Sequence, residues 1–324
     1  MTRGNPFRPS SSRRTLRAPR IGDRIFFVLT LIGALGVVAV LIAVVAALFH
    51  GAQPALQQYG FSPVFGRIWN PSDYVYGFVP FILGTLVTST IALLISVPLS
   101  LGAAIFLTQH APLWLREPVA QVIQLLAAIP SVVYGLWGLI IITPLMAADV
   151  NPALASYLGW TGLFGGPTNY GENLLTASIV LSIMTVPTIT AFSRDAMEAV
   201  PRSQKEAAIS LGATHWEVTR RSIVPYARSG IVAGIVLGLG RALGETMAVT
   251  MTIGNRNAIP TSLLSPAQSI PSLIATDYFE AITPNEIPAL FEMALILLLI
   301  TLAVNIGARA ILARLALGSG VGAE

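Results

Sequence analysis

Six stretches of this 324-residue chain are apolar over about the 20 residues that a helix needs to cross a bilayer. They cover 25–49, 78–107, 118–147, 174–192, 229–253 and 288–306, and polar segments rich in Pro, Gly and Asn separate them. The first holds 25 consecutive uncharged residues, and the second lies inside a charge-free segment from Tyr74 to Leu115. Glu117 and Asp149 bound the third, and Glu172 and Arg194 the fourth. At this length only a helix satisfies its own backbone in lipid. The pattern therefore predicts an all-α membrane protein with six transmembrane helices.

Composition agrees. The chain is 54 % hydrophobic and 10 % charged, where soluble domains average about 25 % charged. Its net charge of +4 does not point to nucleic acid, because the basic residues are segregated by loop. With the N-terminus inside, segments 1–24, 108–117, 193–228 and 307–324 hold 16 of the 19 Lys and Arg. The other loops hold only Arg67 and Arg256, and Arg241 falls within a span. This bias predicts both termini on the cytoplasmic side. The first span is longer than the roughly 7–15-residue core of a cleaved signal peptide. The expected organisation is an Arg-rich cytoplasmic tail over 1–24, suited to anionic lipid, then a first helix over 25–49. An external loop over 50–77 follows, and then a core domain over 78–315 with an internal loop over 195–225. With no cysteine and with His50, His110 and His215 far apart, no metal-ligand spacing is present.

Pro98, Pro130, Pro144 and Pro187 fall within predicted spans. Each removes a helical hydrogen bond, which shapes a cavity or simply kinks a packed helix. Gly230, Gly234 and Gly238 recur every four residues on one face of the fifth span. Such a stripe lets another helix approach closely, and packing is the reading preferred over a conduit.

The internal loop reads as two short helices. Pro201 suits a helix start, and Gly212 suits a left-handed stop. Thr214 and Glu217 then have capping-box spacing, opening a second helix through Trp216 and Val218. Such a knob can fit a socket on another chain. Beyond it, Arg241 and Glu245 lie inside the fifth span, with Arg241 about 19 Å from its inner end at 1.5 Å per residue. Charge there is expensive and must face the bundle interior or water. Read as one helix, the i,i+4 spacing places both side chains on one face. An Arg can grip a tetrahedral oxyanion with two parallel hydrogen bonds. The carboxylate would hold the Arg ready, or accept a hydrogen bond from protonated phosphate, which sulfate cannot donate. The other reading is an ion pair that locks the helix to its neighbours.

The run EAAISLGATHWEVTRRSIVP resembles the EAA signature of ABC-importer membrane subunits, with Glu206, Ala207, Ala208, Gly212 and Pro225 in register. Three residues before the proline this chain has Ser222 where that family usually has Ile. The stretches AAIPSVVYGLWGL (127–139) and GLGRALGETMAVTMTIGN (238–255) are similar to the PstC family of phosphate-importer permeases. The sister PstA family shares GRALGET but usually lacks the MAVTM continuation and Asn255. The resemblance covers about 25–315. It implies a type I importer fold and a PstA-like sister permease. It also implies two ATPase subunits docked on the EAA loop, an external phosphate-binding protein, and phosphate passage served by Arg241 and Glu245.

The chain has no G-x4-G-K-[ST] loop and a single lysine, Lys205. ATP and Mg are therefore expected on the partner ATPase, with no cofactor here. No convergent nucleophile, base or metal set is apparent, so no catalytic residue is expected. Two other readings remain: a permease for another oxyanion, molybdate or sulfate, or an ion-coupled secondary transporter. The latter does not account for the EAA loop, and no inverted repeat is evident.

Overall fold

The computed structural model describes residues 21–317. Most of the Arg-rich tail predicted over 1–24 lies outside the described residues. The described chain is nearly all helix: α1 (Ile21–Tyr59), α2 (Val79–Ile105), α3 (Leu113–Ala128), α4 (Ser131–Thr161), α5 (Leu174–Glu198), α6 (Arg202–Ser210), α7 (His215–Leu243), α8 (Met247–Thr252), α9 (Ile270–Glu280) and α10 (Glu286–Leu317). Six of these, α1, α2, α4, α5, α7 and α10, are long and apolar enough to cross a membrane. The chain divides into two compact units, Met1–Ala47 and Leu48–Glu324. The described part of the first is a single helical segment.

In the second unit α5 is the central helix, with 67 % of its most apolar window buried. It packs between α2 and α7. Three of its hydroxyls are spent locally: Ser178, Thr185 and Ser182 donate to carbonyls three or four residues back. That habit keeps polar side chains satisfied inside an apolar bundle. Ser100 Oγ of α2 ties across to the Val186 carbonyl of α5 at 3.1 Å.

Three apolar clusters hold the unit together. One joins α2, α4, α5 and α8 around Val180, Leu181, Met184 and Val249. A second packs Trp69, Tyr76, Phe78 and Phe81 against Ile270, Leu273 and Met293 of α9 and α10. Trp69 meets Tyr76 and Phe81 edge-on at 5.3 and 5.5 Å, the favoured aromatic arrangement. The third, around Met197, Val218, Ile223 and Ile231, anchors the α6–α7 turn.

Two predicted spans are corrected. The third, expected over 118–147, is two helices. Pro130 has no N–H and drives Ile129 out of the helical region (φ −64°, ψ 130°), ending α3 at Ala128. The crossing helix is α4, which starts at Ser131 and takes Pro144 between two π turns, Gly138–Ile142 and Met146–Val150. Pro130 is thus a break between helices and not a kink within one. Pro98 and Pro187 do lie inside helices, α2 and α5.

The fifth span, expected over 229–253, begins earlier and is broken. α7 runs continuously from His215, absorbs Pro225 by a π turn over Thr219–Ile223, and ends at Leu243. Wide turns of this kind are a usual answer to a missing N–H. Gly244 (φ −95°, ψ 0°) and Thr246 (φ −104°, ψ −64°) stay in the right-handed region but depart from ideal helix angles, and Glu245 N bonds the Ala242 carbonyl three residues back, at 3.4 Å, before α8 resumes.

Candidate functional site

The first site is the loop between α5 and α7. α6 ends at Ser210 and Gly212 turns the chain at φ +84°, a conformation that disfavours side chains. Thr214 then opens α7 with both halves of a capping box: its hydroxyl accepts from Glu217 N at 3.4 Å, and the Glu217 carboxylate accepts from Thr214 N at 3.0 Å. Pro201 precedes the first helical residue of α6, one position before the expected start. Glu206, Ala207 and Gly212 are exposed, and Ala208 is half-buried. Pro225 is exposed on α7. A cleft of about 370 Å³ lies in the angle of the two helices, lined by Ala208, Leu211, Gly212, Ala213, Glu217, Arg221 and Ser222. Leu211 is 90 % exposed and Trp216 58 % exposed beside it. Single apolar residues on a surface need no explanation, but here they rim a concave knob. Ser222 replaces an apolar contact with a polar one, its hydroxyl donating to the Gln204 carbonyl of α6 at 3.4 Å.

The second site is the break after α7. The helix stops at Leu243, so Glu245 lies just past it, which corrects the expectation of one continuous helix through both residues. Their roles separate. Glu245 Oε1 accepts from Ala248 N at 3.3 Å and so caps the first turn of α8. Among the described residues no ion pair joins Glu245 to Arg241. Arg241 is half-buried, and its Nη1 donates to Thr188 Oγ1 of α5 at 3.2 Å. The remaining guanidinium donors have no partner among the described residues. The flanking glycines add no bulk: a Cβ at Gly240 would meet nothing within 4 Å, and one at Gly244 only the Gly240 carbonyl oxygen, at 3.6 Å. A half-buried forked cation with donors left over can take an anion.

The glycine stripe on α7 faces α5. A Cβ at Gly230 would overlap that of Ala196. At Gly234 it would lie 2.8 Å from Phe192 Cβ, and at Gly238 2.7 Å from Ile189 Cγ1. This close approach brings Thr188 within reach of Arg241.

The two PstC-like stretches meet in space. A Cβ at Gly135 would lie 2.9 Å from Ala248 Cα, and one at Gly138 would lie 2.7 Å from Val180 Cγ2 and 3.0 Å from Thr252 Cγ2. α8 therefore packs closely on α4. Sequence reasoning missed Thr188, Gly135 and Gly138. Thr188 follows Pro187 and, unlike the hydroxyls at 178, 182 and 185, is not bonded to its own helix; the sequence carries no sign of that difference.

Residues 96–317 match the family described as "Binding-protein-dependent transport system inner membrane component". The chain is 43 % identical over 310 residues to the phosphate transport system permease protein PstC of Mesorhizobium japonicum, covering 94 % of each. Identity to PstC of Pasteurella multocida is 45 % over 272 residues, 83 % of this chain and 84 % of that one. The probable PstC of Methanocaldococcus jannaschii is 35 % identical over 286 residues, 87 % of this chain and 90 % of that one. Among solved structures, a bacterial alginate ABC transporter aligns with a TM-score of 0.58 at 18 % identity, over 90 % of this chain and 96 % of that one. A MetNI methionine ABC transporter in inward-facing form gives 0.55 at 14 % identity, over 76 % of this chain and 99 % of that one. At those identities the likeness concerns the fold alone.

Proposed function

Because this chain belongs to the family of binding-protein-dependent transport system inner membrane components, among the PstC permeases, we propose that it is one permease subunit of an ATP-driven phosphate importer. It works in the bacterial cytoplasmic membrane with both termini inside. A PstA-like sister permease completes the pathway, two ATPase subunits hold ATP and Mg, and an external binding protein delivers phosphate. On this reading ATP is bound by the ATPase subunits, in keeping with the lack of a G-x4-G-K-[ST] loop in this sequence.

The observation that carries this reading is Arg241, a half-buried cation near the end of a membrane-length helix with one described bond, to Thr188. Phosphate passing the break would take up the free guanidinium donors. Glu245 contributes by capping α8, which fixes the geometry of the break, and its second oxygen can accept from a protonated phosphate oxygen.

The drive reaches this point mechanically. α7 is 29 residues long, about 43 Å at 1.5 Å per residue. One end is the knob at Thr214–Glu217 and the other is two residues past Arg241. An ATPase that grips the α6–α7 cleft would therefore move Arg241 with it, as a rigid lever. Movement of one helix between two positions is the two-state element that alternating access needs.

The test is ATP-dependent phosphate uptake by the assembled four-component transporter in liposomes, comparing wild type with Arg241→Gln. The expected result is loss of uptake with assembly and ATP hydrolysis retained. Uptake at the wild-type rate in the variant would withdraw Arg241 from the pathway.

A further inference from the structure

Beyond α8 the chain makes a tightly determined turn. Gly254 has φ +90°, and a Cβ there would lie 2.8 Å from Pro266 Cβ and 2.9 Å from the Glu172 carbonyl oxygen. Asn255 also lies in the left-handed region, at φ +44°. It is held there by its Nδ2 donating to the Thr250 carbonyl at 2.9 Å and by Ser272 Oγ donating to its Oδ1 at 3.0 Å. Arg256 N donates to the Ala267 carbonyl at 3.1 Å. Asn enters the left-handed region more readily than most residues because its side chain bonds locally, and here two side-chain bonds fix it. Here the fixed product is the backbone of Arg256, whose exposed guanidinium has no hydrogen bond or ion pair among the described residues.

Arg256 lines a polar cleft of about 550 Å³ with Tyr170, Glu172, Gly254, Asn255 and Pro266. With liquid water occupying about 30 Å³ per molecule, the cleft holds a tetrahedral oxyanion with part of its hydration shell. Glu172 is half-buried in the same cleft and does not pair with Arg256. An Arg and a carboxylate that share a cleft without neutralising each other suit a ligand that is both anionic and protonated. The Arg donates to an ionised oxygen, and the carboxylate accepts from a P–OH. Sulfate, with no proton near neutral pH, meets only repulsion from the carboxylate. The cleft is also one short helix from the central break: α8 has 6 residues, about 9 Å of rise.

We propose that this cleft is an outer oxyanion subsite, in which Arg256 and Glu172 hold phosphate at the mouth of the path that continues to Arg241. The inference rests on the phosphate-importer reading above. It gives Asn255 a role, because that residue orients the turn that presents Arg256.

The experiment uses the complete transporter in liposomes, with phosphate-loaded binding protein varied in the external solution. Arg256→Gln is expected to lower the maximal uptake rate about tenfold, since a charge-assisted hydrogen bond is lost, while leaving the half-saturating concentration of binding protein unchanged. Glu172→Gln is expected to keep phosphate uptake and to let external sulfate inhibit it. A changed half-saturation for binding protein at an unchanged maximal rate would make Arg256 a docking contact and overturn the subsite. Unchanged behaviour of both variants would overturn it too. No phosphate uptake by the wild-type transporter would instead remove the parent reading, a result visible before any variant is compared.

Discussion

Gly234→Ala tests the packing that positions Arg241. The added Cβ would lie 2.8 Å from Phe192 Cβ and 3.6 Å from the Ile189 carbonyl oxygen. Carbon atoms pack best at about 3.5–4.0 Å, so α5 and α7 must part by about 0.7 Å or more at this point. Phe192 Cβ is fixed to its backbone and cannot rotate away. Overpacking of this kind costs about 1–3 kcal/mol, against up to about 1 kcal/mol of gained helix propensity. The expected net is a loss of roughly 1–2 kcal/mol. Gly238→Ala meets the fully buried Ile189 side chain at 2.7 Å, and because a β-branched residue in a helix holds one χ1 rotamer it too should lose stability, by about 1 kcal/mol. Gly102→Ala, with nothing within 4 Å of the new Cβ, should gain about 0.5–1 kcal/mol. The assay is thermal unfolding of the purified protein in detergent, with the three variants side by side. If Gly234→Ala proved as stable as Gly102→Ala, the close approach of α5 and α7 would be refuted.

Three further outcomes are expected. Thr188→Val removes the one described partner of Arg241 and should lower phosphate uptake about 10- to 100-fold, in line with the roughly 1.5–3 kcal/mol of a charged hydrogen bond, with assembly intact on size-exclusion chromatography. Glu292 of α10 is 1 % exposed, and neither carboxylate oxygen has a partner among the described residues. Glu292→Met should therefore raise stability by about 1–3 kcal/mol in the same unfolding assay, and a fall would show that the carboxyl is paired. Burial pushes the Asp277 carboxyl above its ordinary value, against the hydrogen bond it accepts from Thr276 Oγ1. The folded chain thus keeps a proton that the unfolded chain releases, and stability contributed by this group falls as pH rises from the ordinary carboxylate range through the raised value. Asp277→Asn should flatten that decline in melting temperature measured from about pH 4 to 8; an unchanged slope would assign it elsewhere.

Much of the architecture was legible in the pattern of apolar runs, because lipid demands length and forbids charge. The α6–α7 knob was legible for a different reason: Gly212 and the Thr214–Glu217 box act through local backbone chemistry, which spacing reveals. The extent of α7 was not. Its first turns, from His215 to Arg228, are too polar to register as part of a span, yet they continue the same helix. The break at Gly244–Thr246 was hidden because a lone Gly is tolerated in an apolar helix. The break is stabilised by contacts distant in sequence, Gly135 against Ala248, together with the cap from Glu245. Spacing alone put Arg241 and Glu245 on one continuous helix, whereas the helix ends between them and each side chain bonds a different partner. For Gly230, Gly234 and Gly238 the period was visible, but their partner α5 and the resulting Thr188–Arg241 contact required the fold.

The central claim is that this chain moves phosphate. Its most direct test is the rate of ATP-dependent uptake of labelled phosphate by the wild-type transporter in liposomes, measured beside labelled sulfate and molybdate delivered in the same way. The account predicts uptake of phosphate that depends on both ATP and the binding protein, with the other two oxyanions excluded. Equal or faster uptake of sulfate or molybdate, or no uptake of phosphate by an intact, ATP-hydrolysing complex, would contradict it.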